Sequence, residues 1–419
     1  MLDDVLRVAG LAFIFAGVPF AAFAPGNVQA RAVARVTTLF AAVCLGLGWL
    51  ATAHSASLEA ALESTARTHW LLSFAIASAG VFVTNLMGTG DARPGEIACV
   101  CLTLGCAATL PFAVSPWLVG VCTSLGMAGP AFTASRRRDG PEAGAMILLL
   151  ACLPGVLLLS GVLPGMSAGW SMALWLFPIA AVAPLHFWYL RLAEALPATF
   201  LATTLLLQVA AVRCAIEMLP LTLQHDLAGW MAASAAFMAL LALGQTSARR
   251  AAASLLSSQL SIAAYAGLEI HEGPESAGVF LLLTLASATT GWVMLLGALE
   301  SRIGHSLKIN RPGGCYESWP HLATTFMVLG LASAGLPLSL GFVASDLVLR
   351  VIFATQPLHA GAIILAMALN AICLVRMFLF FFQGAPGSAQ PSDLRAREIL
   401  VTALTVMASF GLALFALPG

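Results

Sequence analysis

The sequence predicts an all-α membrane protein of about 14 transmembrane helices, and three observations carry that prediction. Of its 419 residues 60% are hydrophobic and only 9% charged, whereas about 25% of a soluble domain is charged. The apolar residues gather into long runs, and about 20 of them suffice for a helix to cross hydrocarbon. The basic residues cluster on one side of those runs, the side that reads as cytoplasmic.

The runs lie at 5–24, 32–53, 70–89, 96–114, 116–134, 143–163, 168–186, 198–219, 227–245, 251–269, 276–299, 320–356, 358–383 and 398–417. The first follows Asp3 and Asp4 rather than a basic segment and has no clear cleavage site, so it reads as a retained span and not a signal peptide. The seventh is interrupted between Pro178 and Pro184, and Pro197 reopens the chain as the eighth helix. The twelfth is too long for one crossing, and Gly335, Leu336, Pro337 and Gly341 mark a break inside it. Irregular backbone at that depth has to be buried in protein or line a cavity. Connectors around 54–69, 300–319 and 384–397 are rich in Ser, Gly, Pro and charge, and none is long enough for a soluble domain.

Charge checks the count. The loops after odd-numbered runs hold Arg31, Arg35, Arg93, Arg136, Arg137, Arg138, Arg191, Arg249, Arg250, Arg302, Lys308, Arg311, Arg395 and Arg397. Arg7 and Arg67 lie on the other side, and Arg213, Arg350 and Arg376 lie within helices. One helix too many or too few in the middle would scramble this bias, which puts both termini outside.

Several function classes drop out. Nineteen basic residues balance 19 acidic ones, so no net field recruits nucleic acid. The 9 cysteines sit mostly in apolar runs without a C-x-x-C, and the 8 histidines are scattered singly. They read as core residues and not as a metal or haem site. With no P-loop and no glycine-rich dinucleotide motif, no cofactor is expected on this chain, and no catalytic site either.

Pro184 to Gln208 reads P-L-H-F-W-Y-L-R-L-A-E-A-L-P-A-T-F-L-A-T-T-L-L-L-Q, with a short polar hairpin of His186, Trp188, Arg191 and Glu194 between two apolar runs. It resembles the P-F-H-x-W … P-T/A-P-V-S/T-A pattern of the antiporter-like membrane subunits of complex I, a family shared with membrane hydrogenases, sodium/proton antiporter complexes and inorganic-carbon accumulating complexes. Arg250 to Gly267, R-A-A-A-S-L-L-S-S-Q-L-S-I-A-A-Y-A-G, is similar to K-R-L-L-A-Y-S-S-I-A-H-x-G-Y of that family. Gly335 to Asp346, G-L-P-L-S-L-G-F-V-A-S-D, resembles G-x-P-P-x-x-G-F-x-x-K, and Val375 to Phe382 resembles Y-x-R-x-x-x-x-F, with Arg376 at the motif arginine. The order of these blocks extends the likeness from about residue 95 to 384.

The resemblance implies two inverted five-helix repeats, spans 4–8 in 95–220 and spans 9–13 in 221–384, flanked by three helices in 1–94 and one in 385–419. It also implies a relay of midplane carboxylate, lysine and histidine side chains. Ungapped matching puts those positions on Thr123, Ile179, Gln208, Thr284, Ala288 and Ser345, and the chain's single lysine, Lys308, lies in a loop. A Lys-to-Lys relay is therefore absent.

Intramembrane charge is costly and usually functional, so what remains forms the candidate list. Arg213 with Glu217 and Asp346 with Arg350 are i,i+4 pairs that can neutralise themselves on one helix face. The first is expected near the outer interface, either snorkelling or serving as a rerouted proton site linked through Gln208. Asp346 follows the second break directly and reads as the better candidate, either lining a polar cavity beside the irregular backbone or self-paired with Arg350 against a neighbouring subunit. Arg376 reads as packing or interfacial, and His186 with Trp188 as an amphipathic belt at the cytoplasmic boundary. Ser257, Ser258, Gln259 and Ser261 form a polar stripe, suited to hydrogen bonds between helices or to a water wire.

The expected function is a divergent antiporter-like subunit, in a docking, structural or altered ion-path role. Its partners would be other membrane subunits and a cytoplasmic catalytic subunit in a bacterial-type cytoplasmic membrane, as in a quinone-reducing or hydrogenase-like complex. An inorganic-carbon accumulating complex and a stand-alone secondary transporter remain open; a membrane enzyme acting on lipid or quinone lacks any acid, base and histidine constellation at one depth. The topology is directly testable. Reporters fused at 136–138 and at 249–250 should both report from the cytoplasm, and an outer-face signal at either overturns the span register.

Overall fold

The computed structural model describes residues 2–53, 65–87, 93–137, 140–152, 155, 168–270, 276–310, 312–384 and 393–416. Part of the expected sixth span (153–154 and 156–163), Arg138 and Arg311 lie outside them. The described residues form helices joined by short connections, and eleven of these helices are long and apolar enough to cross a membrane.

Three helices open the chain: α1 (Leu2–Ala22), α2 (Asn27–Ala53) and α3 (Thr65–Leu86). There follow α4 (Pro94–Thr109), α5 (Pro116–Ser135), α6 (Pro141–Ile147, passing into a π turn over Leu148–Cys152), α7 (Ala168–Ile179), α8 (Phe187–Ala195) and α9 (Ala198–Met218). The next set is α10 (Leu221–Gly244), α11 (Ala248–Glu269), α12 (Ser276–Thr284), a π turn over Leu285–Thr289, α13 (Thr290–Ile303), α14 (Pro320–Ala334), α15 (Leu340–Thr355) and α16 (Pro357–Phe382). Helix α17 (Ala396–Ala416) closes the chain.

Local chemistry sets the ends. Pro94, Pro116, Pro320 and Pro357 each occupy a first helical turn, where their missing N–H costs nothing. The Ser115 hydroxyl accepts from the Leu118 N–H, and the Ser339 hydroxyl from the Phe342 N–H, both at 3.3 Å. Helix α14 ends on Gly335, at φ 94°, a left-handed conformation that glycine takes without penalty.

Helices α9 and α11 and the run from α12 through α13 are buried on nearly every face, so they form the centre of the bundle. Between apolar helices in lipid the driving force is close packing, and α11 supplies it with small residues. A Cβ on Gly278 of α12 would lie 3.2 Å from the Gly267 backbone of α11, so the two helices touch through bare backbone there.

The same pairings recur in the two sets. Helix α4 packs on α5 and α9 as α10 packs on α11 and α16; α5 packs on α6 as α11 on α12. Helix α6 packs on α8 as α12 on α15, and α7 on α9 as α14 on α16. Each set also carries a π turn in its third span and a break in its fourth.

Both expected breaks are present, between α7 and α8 and between α14 and α15. The segment after the first, read above as a polar hairpin, is the nine-residue helix α8. Trp188, Leu192 and the neighbouring Tyr189 and Ala193 are buried in the bundle, while Arg191 and Glu194 turn outward and pair at 3.5 Å. The helical spacing of 188 and 192 against 191 and 194 accounts for this.

Each break also holds one non-glycine residue at positive φ, Ala181 (51°) and Leu338 (71°). Such a conformation costs an L-residue about 1–2 kcal/mol. Leu338 is mostly exposed, so Leu338→Gly removes the clash without opening a core cavity. It should stabilise the purified protein by up to about 1 kcal/mol after the glycine's own entropy cost, read as a higher thermal midpoint.

Candidate polar core at the helix breaks

A helix interrupted inside a membrane leaves carbonyls without partners, and in hydrocarbon each costs several kcal/mol. At the first break three such carbonyls, those of Ile179, Ala181 and Ala183, are answered by side chains from three helices, and a fourth side chain adds a second hydrogen bond to the Pro178 carbonyl, which also accepts from the Ala181 N–H at 3.0 Å. Trp188 Nε1 of α8 donates to the Pro178 carbonyl at 2.8 Å, and Gln208 Nε2 of α9 to Ile179 at 2.8 Å. Ser257 Oγ of α11 donates to Ala181 at 2.6 Å, and Trp230 Nε1 of α10 to Ala183 at 2.7 Å. The Ala183 N–H in turn donates to Ser234 Oγ at 3.1 Å. Every one of these groups is uncharged.

From there the polar stripe of α11 runs to the second break. Ser261 Oγ reaches Ser234 Oγ at 3.4 Å, Ser258 Oγ donates to the Ala235 carbonyl at 2.8 Å, and Asn370 Nδ2 of α16 donates to Ser258 Oγ at 3.0 Å. Gln259 Nε2 donates to the Ser333 carbonyl at 3.1 Å, and its Oε1 accepts from Thr289 Oγ1 at 3.3 Å. One helix thus holds the first break through Ser257 and, two residues on, the end of α14 through Gln259. The stripe makes the interhelical hydrogen bonds read from its sequence.

Of the positions matched to relay residues, Ile179 and Gln208 meet at the first break. Thr284 and Ser345 line a small cavity of about 30 Å3 beside the second, together with Gln259, Ser333 and Asn370. Thr123 donates to the Val119 carbonyl of its own helix at 2.8 Å, and Ala288 is buried in the second π turn.

The charged candidates lie apart from this core. Arg213 and Glu217 pair at 2.7 Å, and His69 of α3 adds a 2.7 Å contact to the same carboxylate, making a part-buried cluster of three groups rather than a snorkelling pair. Asp346 and Arg350 pair at 2.7 Å with side chains 43% and 73% exposed. Of the two readings of Asp346, this exposure suits a self-paired charge turned toward a neighbour rather than one lining a polar cavity at the break. Ser339 caps α15 instead, its hydroxyl also donating to Ala332 at 3.3 Å, and Asp346 faces away from the chain's interior. Arg376 ties helices and loop together through the Leu243 carbonyl and, at 3.5 Å, the Ile309 carbonyl.

His186 and Trp188 form no interfacial belt. Both are buried, His186 against Phe187 with ring centroids at 4.4 Å, and the indole of Trp188 is taken up by the break. Sequence reasoning missed Trp230, Ser234, Ser333, Asn370 and His69. A lone asparagine in the apolar run of α16 was a usable signal.

The pattern describing the NADH:quinone oxidoreductase/Mrp antiporter transmembrane family matches residues 142–375, which contain both breaks and the whole of α11. The chain belongs to that family. NADH-quinone oxidoreductase subunit M of Rickettsia typhi is 29% identical over 103 residues, 25% of this chain and 21% of that relative's length. The chain therefore spans only a small part of the curated relative it matches. Over the full fold, a chain of respiratory complex I from Thermus thermophilus superposes with TM-score 0.80 at 19% identity, covering 98% of both chains. A chain of the membrane-bound sulfane sulfur reductase, an archaeal respiratory membrane complex, gives 0.79 at 15% identity, covering 99% of this chain and 94% of that one.

Within the family fold the neutral donors at the first break are stabilising. Gln208→Met and Ser257→Ala keep most of the volume but leave the Ile179 and Ala181 carbonyls unpaired, and each should cost about 1 kcal/mol, the range of interhelical hydrogen bonds. Thermal unfolding in lipid nanodiscs measures this, with Phe187→Leu on an exposed face as the neutral control.

Proposed function

We propose that this chain is an antiporter-like membrane subunit of a multisubunit complex, in which the ion relay has been replaced by a neutral polar scaffold and the role is docking and structural. The observation that carries the reading is the Gln208–Ile179 contact. Both residues stand at positions matched to relay lysines, and between them they make one amide-to-carbonyl hydrogen bond with no group that titrates. The remaining matched positions are Thr123, Thr284, Ala288 and Ser345, equally unable to carry a proton at neutral pH. The recurring helix pairings support the division into 1–94, 95–220, 221–384 and 385–419, with the two middle segments as inverted repeats. The arginine bias supports both termini outside a bacterial-type cytoplasmic membrane.

The outward Asp346–Arg350 pair supports the partner half of the reading. A charge pair turned away from its own bundle is costly against lipid, and a neighbouring membrane subunit packed on α15 relieves that cost. Either a quinone-reducing or related assembly with a cytoplasmic catalytic subunit or an inorganic-carbon accumulating complex would supply such a neighbour. Mass spectrometry of proteins co-purified from native membranes separates the two: iron–sulfur and quinone-site subunits in the first case, a large zinc-binding soluble protein in the second.

Two outcomes test the function itself. Reconstituted alone into liposomes under a pH gradient, the chain should leave the gradient intact; measurable proton flux sinks the structural role. Asp346→Asn should lower recovery of the neighbouring membrane subunit, because it strands Arg350, and adding Arg350→Gln should restore it. Unchanged recovery in both variants means that no subunit covers this face.

A further inference from the structure

The cavity beside the second break is built from three departures from regular helix. The π turn Leu285–Thr289 begins immediately after Thr284, α14 ends at Ala334, and α15 starts again at Leu340. Asn370 of α16 closes it from the side. Its volume of about 30 Å3 exceeds the roughly 10–15 Å3 that one water molecule requires. Thr284, Ser333, Ser345 and Asn370 are all at least nine-tenths buried.

An inventory of hydrogens defines what the cavity can hold. The Thr284 hydroxyl donates to the Phe280 carbonyl at 2.9 Å, Ser345 to Gly341 at 2.7 Å, and Ser333 to Gly330 at 2.7 Å. Each hydroxyl proton is thus committed to backbone, and each hydroxyl offers only oxygen lone pairs to the space beside it. Asn370 spends an amide hydrogen on Ser258, and its Oδ1 has no partner in the protein although the residue is 1% exposed. A buried, unmet acceptor of this kind calls for a ligand. An anion finds no cationic side chain in the lining, and an apolar gas leaves Asn370 Oδ1 unpaired. A divalent cation finds no carboxylate in the lining.

We infer that this cavity is a binding site for one compact species that brings hydrogens or positive charge: a water molecule or a monovalent cation. It is held by Thr284 Oγ1, Ser333 Oγ, Ser345 Oγ and Asn370 Oδ1. The site needs no partner chain, and it is independent of whether the protein conducts ions.

Met367 lines the same cavity and supplies the probe. The full chain in lipid nanodiscs is exposed to a short X-ray pulse, which turns bound water into hydroxyl radical on the spot, and methionine oxidation is read by mass spectrometry. Met367 should be oxidised several-fold faster than Met377, which is fully buried on the same helix and does not line the cavity. Thr284→Val, which keeps shape and removes an acceptor, and Asn370→Leu should each reduce the Met367 rate several-fold; thermal midpoints within a few degrees of the parent's certify that the variants are folded. Should Asn370→Leu fail to fold, Thr284→Val carries the test alone. Sodium against choline buffer separates the sources: equal Met367 rates identify water, and protection by sodium alone identifies a monovalent cation. The inference is overturned if Met367 reacts no faster than Met377, or if its rate is the same in folded Thr284→Val as in the parent.

Discussion

The structure depends on one requirement, that backbone carbonyls released by a broken helix be paired where no bulk water reaches them. At the first break α7 stops at Ile179 and α8 begins at Phe187, and four of the carbonyls between Pro178 and Ala183 accept from side chains, three of them, Ile179, Ala181 and Ala183, with no backbone donor. Left alone, each would cost several kcal/mol in hydrocarbon, more together than any packing feature in the bundle could offset. The donors that answer them come from α8, α9, α10 and α11. The mutual placement of those helices therefore follows from the break as much as from apolar contact, which in lipid supplies little directional preference.

The same geometric demand can be met by an ammonium or by an amide. An ammonium brings a charge that must be desolvated and balanced, at several kcal/mol per ion, and gains the ability to titrate. An amide brings the N–H alone. At Gln208 this chain has the amide, and indoles and hydroxyls do the rest, so rigidity is kept and protonic function given up. The choice leaves a chemical signature: the buried amides of Gln208, Gln224 and Asn370 each use nitrogen on the protein and leave oxygen without a protein partner.

The breaks themselves were legible, because Pro178, Pro184, Pro337, Gly335 and Gly341 announce them locally. So was the polar stripe of α11, conspicuous in an otherwise apolar run. What pairs with what was not, since the partners are remote: Gln208 is 29 residues from Ile179, Ser257 76 from Ala181, and Asn370 112 from Ser258. The outward turn of Asp346 has a simpler cause. Successive helical residues are rotated by about 100°, so a carboxylate directly after inward-facing Ser345 is turned outward, and proximity to the break along the chain says nothing about proximity in space. His186 and Trp188 were assigned to an interface because aromatic residues favour it, a tendency overridden here by a buried carbonyl that only a long, planar donor could reach.

The two breaks are alike in kind and unlike in filling. Trp188 and Trp230 occupy the first with two indoles, and a ring of that size leaves no space beside the carbonyl it serves. At the second the chain of the break itself contributes only Ser333, Ala334, Gly341 and Ser345 to the cavity, residues too small to reach across it. Gly341 could not be enlarged without moving backbone, since a Cβ there would lie 2.9 Å from the Ala332 carbonyl oxygen. Close approach of α15 to the end of α14 thus requires a small residue at the point where a large one would be needed to seal the gap. The π turn on α12 and α13 widens the same region by one residue per turn. A void with polar walls is the consequence of that conflict, and polar walls in a membrane interior hold a ligand more cheaply than they hold a vacuum.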